Sequence, residues 1–152
     1  MYIKEYMKQY KDKKVKLFVD MDGVIVDYDF GKPRDYDIKR PLYDSINKLK
    51  EISKMKNVEL YIFSVTRKTE GFAQKQLWLD KYAPFFKKEN RIIISREDND
   101  MTESATLKAN YLKEYKRDGS QIIVIDDDPK NLKAINRVND DVILLKDTVL
   151  VD

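Results

Sequence analysis

Five short apolar runs set the frame for any fold this chain can adopt. They are VKLFVD (15–20), VELYIFS (58–64), RIIIS (91–95), QIIVID (121–126) and DVILL (141–145). Each is too short for a helix, rich in β-branched residues, and apolar almost throughout rather than at alternate positions. That pattern belongs to strands covered on both faces, as in parallel sheets, and not to half-solvated antiparallel ones. Between the runs lie helical patterns. PLYDSINKLKEISKM places Leu42, Ile46, Leu49 and Ile52 at helical spacing, with Pro41 suited to the helix start. EGFAQKQLWLDKYA gives Phe72, Leu77 and Trp78 and stops at Pro84. ATLKANYLKEYKRDG reaches Gly119, a candidate C-terminal cap, and PKNLKAINRV starts at Pro129. Strand and helix alternate, so the expected fold is α/β: a doubly wound, mainly parallel, five-stranded Rossmann-like sheet.

Within 152 residues this makes one domain over 1–152. Its first 14 residues form an N-terminal amphipathic helix, because Tyr2, Tyr6 and Tyr10 recur every four residues beside Ile3 and Met7. That stripe is expected to pack on the domain, a basic nucleic-acid arm or a dimer contact being the other readings. Repeats, linkers and low-complexity tracts are absent. No apolar run reaches the roughly 18 residues of a membrane span, and the N-terminus lacks the apolar centre of a signal peptide. A cytoplasmic protein that meets no membrane is therefore expected, its oligomeric state open.

Composition narrows the chemistry. The sequence has no cysteine and no histidine. Disulfides, thiolate metal sites, imidazole bases and imidazole ligands are all excluded. Reactions must run on carboxylates, hydroxyls, lysines, arginines or a hard cation bound by oxygen, such as magnesium or calcium. The net charge of +3 is too mild to indicate nucleic-acid binding by itself.

The acids stand where such a site would form. Asp20 and Asp22 follow the first apolar run, Ser64, Val65, Thr66 and Arg67 end the second, and Asp126, Asp127 and Asp128 end the fourth. In a parallel sheet these ends share one edge, where open α/β sheets place their ligands. Carboxylates crowded there repel one another unless a cation neutralises them, and a magnesium ion that keeps some waters leaves room for a phosphate. The segments 27–39 and 95–104, without a clear element of their own, follow strand ends and would border the site.

DMDGVIVD, LYIFS, SATLKANYL and VIDDDPKNL together resemble, in order, the four motifs of the haloacid dehalogenase (HAD) superfamily, mostly phosphatases with an aspartate nucleophile. The correspondence runs from about Leu17 to Asn131. The resemblance implies that Asp20 attacks phosphorus and that Asp22 serves as acid and then base. It implies that Asp20, Asp127 and the Asp22 backbone carbonyl hold magnesium, with Asp126 in support or competing for the contact. Ser64 and the Val65 amide would bind phosphoryl oxygens, Lys108 would offset charge on nucleophile and phosphate, and Arg67 could reach the substrate or simply face solvent. Asp128 and Asn131 could cap the next helix, Asn131 also bracing the acidic loop.

Too few residues separate the motifs for a cap domain, which implies a capless enzyme with a flap-like loop near 26–39. The segment PRDYDIKRP, the tryptophan-bearing helix and the loop SREDNDMTE loosely resemble polynucleotide 3′-phosphatase domains, so the expected substrate is a phosphate ester on a nucleotide or a nucleic-acid end. A small 5′(3′)-nucleotidase is the alternative substrate reading, and a catalytically silent HAD-like binding module the alternative to an enzyme. Receiver domains of signalling pathways use similar groups, but their acidic pair comes after the first strand, an order inverted here.

Overall fold

In the computed structural model the described residues are 3–28, 36–67, 69–97 and 100–151. The element order is α1 (Ile3–Lys8), β1 (Val15–Val19), α2 (Tyr43–Ile52), β2 (Val58–Thr66), α3 (Thr69–Tyr82), β3 (Arg91–Ser95), α4 (Ser104–Glu114), β4 (Gln121–Asp126), α5 (Pro129–Val138) and β5 (Ile143–Lys146), with short 3-10 turns at Tyr36–Ile38, Lys88–Asn90 and Asp147–Leu150. The five strands form one sheet in the order β3-β2-β1-β4-β5, every pairing parallel.

Continuous apolarity in the strands follows from this architecture. Leu17 and Val19 of β1, Leu60 and Ile62 of β2, and Ile123 and Ile125 of β4 enter one core with Ile3, Met7, Leu49, Ile52, Trp78 and Leu79. The residues between them, Phe18, Tyr61, Phe63, Ile122 and Val124, enter a second core with Ala109, Leu112 and Ile135. Helices α1, α2 and α3 therefore cover one face and α4 and α5 the other, so most residues of the central strands point into apolar surroundings, Lys16 and the exposed Glu59 near the strand starts being exceptions. Phe18 stacks on Tyr61 with ring centroids 4.9 Å apart and meets Phe63 edge-on at 5.5 Å. Burying one such ring contributes about 1.5–3 kcal/mol.

Several local expectations change. Gly119, at φ +92, lies in the turn before β4, and α4 ends earlier, at Glu114, with Tyr115 as its C-cap. Pro41 precedes the N-cap, Leu42, and bridges Val26 instead of opening α2. Leu77 is 67% exposed and Phe72 37%, so the buried face of α3 is carried by Lys75, Trp78 and Leu79. The N-terminal helix extends only over Ile3–Lys8; Ile3 and Met7 are buried, and Tyr6 and Tyr10 pack partly against the core, while Tyr2 lies outside the described residues. Of the 27–39 and 95–104 segments, 29–35 and 98–99 also lie outside them. Among the described residues no helix is long and apolar enough to cross a membrane.

Candidate active site

Strand β1 runs down the centre of the sheet, and its ladder continues one residue past its end, where the Asp20 amide donates to the Ile125 carbonyl at 3.0 Å. That bond fixes the backbone of Asp20 against β4. The chain then turns tightly: the Met21 carbonyl accepts from the amides of Val24, Ile25 and Val26 at 3.0–3.1 Å, and Gly23 sits at φ +81. Positive φ favours glycine. A second demand falls on the same residue, because a Cβ there would overlap the Asp127 carboxylate.

Asp126 is the last residue of β4 and is wholly buried. The Lys108 ammonium, 2% exposed, lies between two acids, 2.7 Å from Asp126 Oδ2 and 3.1 Å from Asp20 Oδ1. Asp126 is further held by the Asp128 amide at 2.9 Å on Oδ1 and by Asn131 Nδ2 at 3.2 and 3.1 Å on its two oxygens. Both of its oxygens are thus engaged by protein donors, while Asp128 caps α5 by accepting from the Lys130 amide at 2.9 Å.

Carboxylate oxygens of Asp20, Asp126 and Asp127 lie within 4.8 Å of one another. Burial pushes the Asp20 carboxyl up to about 8; Lys108 opposes this, and Asp126 and Asp22 add to it. Asp127 is raised to about 6, by burial first and then by Asp126. These are acids short of positive charge, and their all-oxygen donor set fits a hard divalent cation. Asp127 is the member left most available, since Asp126 is saturated by hydrogen bonds.

The carboxylate of Asp22 is outside that cluster and faces a different set of partners. Lys39 Nζ is 2.7 Å from Oδ1, and Lys75 Nζ is 3.5 Å from Oδ2. Burial disfavours the Asp22 anion, but Lys75 and Lys39 outweigh it and hold the carboxyl below its ordinary value. Lys75 also donates to Ser64 Oγ at 2.6 Å and to the Val65 carbonyl at 2.9 Å. Lys39 is 4% and Lys75 3% exposed. Neither was singled out from the sequence. Lys75 was findable, since it shares with Trp78 and Leu79 the stripe of α3 that faces the sheet, where a lysine needs a partner. Lys39 gives no such sign; it is held by its fold context, its carbonyl accepting from Trp78 Nε1 at 3.2 Å and its ammonium lying 4.3 Å from the Tyr36 ring centroid.

Ser64 stands inside β2, opposite Ile93, and not at its end: the strand continues through Val65 to Thr66. It is buried, yet it lines a cavity of about 500 Å³ together with Asp20, Asp22, Val65, Lys108, Asp127 and Asn131. Asp20, Asp22, Ser64, Val65, Lys108 and Asp127, six of the residues expected at the site from the sequence, thus share one cavity wall, and Asp126 contacts Lys108. Arg67 is exposed and lines an adjoining hollow instead.

The sequence matches no protein-family model and no curated protein. The fold is shared with chains in two solved structures. In the structure of the Pnkp1/Rnl/Hen1 complex the TM-score is 0.66 at 14% identity, over 88% of this chain and 46% of the other. In the structure of the Pnkp1/Rnl/Hen1 RNA repair complex it is 0.67 at 14% identity, over 89% and 43%. The chain therefore spans less than half the length of either neighbour, and the likeness is one of fold.

Proposed function

We propose that this protein is a magnesium-dependent phosphomonoester hydrolase of the HAD type, acting through an aspartyl phosphate on a phosphate at a nucleic-acid end. The observation that carries the proposal is Asp20 itself: a buried acid at the end of the central strand, 3.1 Å from Lys108, grouped with Asp126 and Asp127, and open to a cavity walled by Ser64.

In the first half of the reaction an Asp20 oxygen forms a bond to phosphorus as the ester P–O bond breaks, and the leaving oxygen takes a proton from Asp22. Asp22 is held as an anion by Lys39 and Lys75, so the arriving phosphate dianion must raise its affinity for that proton. In the second half Asp22 takes a proton from water, the water oxygen bonds to phosphorus, and Asp20 leaves. Ser64 and the Val65 amide would hold the phosphoryl oxygens, and Lys108 would balance charge on the nucleophile. Asp20, Asp127 and the Asp22 backbone carbonyl would hold magnesium, with Asp126 in support, and the ion would supply the charge that lets an anionic acid meet an anionic ester.

A nucleic-acid end is favoured as substrate because the neighbours in fold include chains of an RNA repair complex and because the site adjoins a hollow lined by Arg67, Lys75 and Arg96. A small nucleotidase is the alternative. Activity toward a chromogenic phosphate ester in magnesium tests the reaction, followed by mononucleotides and 3′- and 5′-phosphorylated oligonucleotides. Asp20→Asn should lower turnover by roughly three orders of magnitude or more with its melting transition still cooperative. Wild-type protein inert toward every ester would mark a silent binding module, and an active Asp20→Asn would remove the nucleophile assignment.

A further inference from the structure

Next to the reaction cavity the same sheet edge opens into a larger hollow of about 680 Å³, and the two share Asp22, Tyr28, Val65 and Ser104 in their walls. Arg67 and Arg96 both line the hollow. The sheet puts them together. β2 and β3 run parallel with Thr66 opposite Ser95, so the next residue on each strand leaves the sheet edge beside the other.

Arg96 is anchored at the wall of this hollow and has no part in the proposed reaction. Its amide donates to the Thr66 carbonyl at 2.7 Å and its Nη2 to Ser104 Oγ at 2.8 Å, while its Nε is buried without a hydrogen-bond partner. Arg67 is exposed and makes no hydrogen bond or ion pair among the described residues. Asp100 has its carboxyl lowered first by its bonds to Thr102 and then by the nearby Arg96 charge, but no acid makes an ion pair with either arginine among the described residues. Asp22 is taken by Lys39 and Lys75, Asp100 accepts from the Thr102 amide at 2.9 Å, and Glu70 is exposed on the wall. Two arginines lining one hollow, one with an unpartnered Nε and the other without a hydrogen bond among the described residues, suit a phosphoryl group, whose oxygens match their fork of donors.

We propose that Arg67 and Arg96 form a second anion subsite, which takes a further phosphate of the molecule whose terminal phosphate enters the Asp20 cavity. This rests on the phosphatase reading and narrows its substrates to those with two phosphates. The second phosphate is either a terminal group of a bisphosphate or the phosphodiester of a strand.

Calorimetric binding to the Asp20→Asn protein in magnesium tests it, using adenosine 3′-monophosphate, adenosine 5′-monophosphate, adenosine 3′,5′-bisphosphate and a dinucleotide with a terminal phosphate. The expected result is that a second phosphate tightens binding tenfold or more over the better monophosphate. Arg96→Ala and Arg67→Ala should each cut that ratio below threefold, and Arg96→Lys, which keeps the charge without the fork, should cut it partway. Preference for the dinucleotide over the bisphosphate identifies a strand phosphodiester, and the reverse a terminal group. A ratio below threefold in the parent protein, or one unchanged in both alanine variants, overturns the subsite. Wild-type turnover of the chromogenic ester is scored separately, so a working hydrolase without the ratio loses the subsite alone.

Discussion

The ammonium of Lys75 sits 2.6 Å from the hydroxyl oxygen of Ser64, and both groups are buried. A serine oxygen has one proton and two lone pairs. Because Lys75 fills a lone pair, the Ser64 proton is left to point elsewhere, and the cavity that Ser64 lines is where an acceptor would arrive. In the proposed reaction Lys75 would thus position a phosphate donor as well as partner Asp22.

Lys75→Met and Ser64→Ala should therefore act on activity as a unit. Each is expected to lower kcat/KM by roughly ten- to a hundredfold, and the double variant by little more than the worse single one, a coupling of about 0.5–3 kcal/mol. Full additivity would mean that Lys75 serves only Asp22.

Asp127 and Asp128 are neighbours with different work. Asp127→Ala should weaken magnesium dependence, shifting the metal concentration for half activity upward by roughly tenfold or more, a loss of about 1.4 kcal/mol per factor of ten. Asp128→Ala removes the cap of α5 and should cost about 1 kcal/mol of stability while leaving the metal requirement in place. Chelation should abolish activity, and calcium should restore it poorly. Equal metal effects of the two variants would mean that the wrong acid has been assigned.

The pH dependence of stability follows from the raised carboxyls of Asp20, at about 8, and Asp127, at about 6, against an ordinary value of 3.8. Between about pH 4 and pH 8 the metal-free folded protein holds more protons than the unfolded chain, so stability falls as the pH rises through that window. Lys75, pushed down by burial, acts in the opposite sense at alkaline pH, so melting temperatures are compared from about pH 5 to 7.5. They should decline with pH in chelator, and magnesium should flatten the decline, because the ion replaces the protons. A rise with pH in chelator would contradict the crowded-acid description.

Gly23→Ala combines positive φ with an overlap against the Asp127 carboxylate. The backbone alone should cost about 1–2 kcal/mol. Displacing Asp127 should also weaken magnesium binding, so calorimetry should show both a lower melting temperature and a lower metal affinity. Normal metal affinity in a destabilised variant would separate the turn from the metal site.

The strands were legible because burial on both faces writes an unbroken apolar run, and the two acidic stretches stand at the ends of β1 and β4 as expected, whereas Ser64 lies inside β2 and not at its end. Helix ends were less legible: Gly119 looked like a cap for α4, but the chain leaves the helix at Glu114 and spends the glycine on the turn into β4. Leu77 counted as apolar in the pattern and faces out, while Lys75 counted as polar and faces in. Residue type alone could not show that reversal, since a lysine enters an interior only when distant acids and hydroxyls, here Asp22 and Ser64, are waiting for it. Lys39 was invisible for the same reason, its partner lying 17 residues earlier.

The placement of β1 between β2 and β4 also sets a timetable for folding. The Asp20 strand has one edge that pairs with Val58–Ile62 and another that pairs with Gln121–Ile125. During synthesis the second partner emerges about 100 residues later, a wait of roughly 5–20 s at ordinary elongation rates. Through that interval Leu17, Phe18 and Val19 present an open edge of the kind that recruits foreign strands. The carboxylates of Asp126 and Asp127 arrive on the strand that closes it. The nascent chain therefore seals its aggregation-prone edge and assembles its acidic centre in the same event.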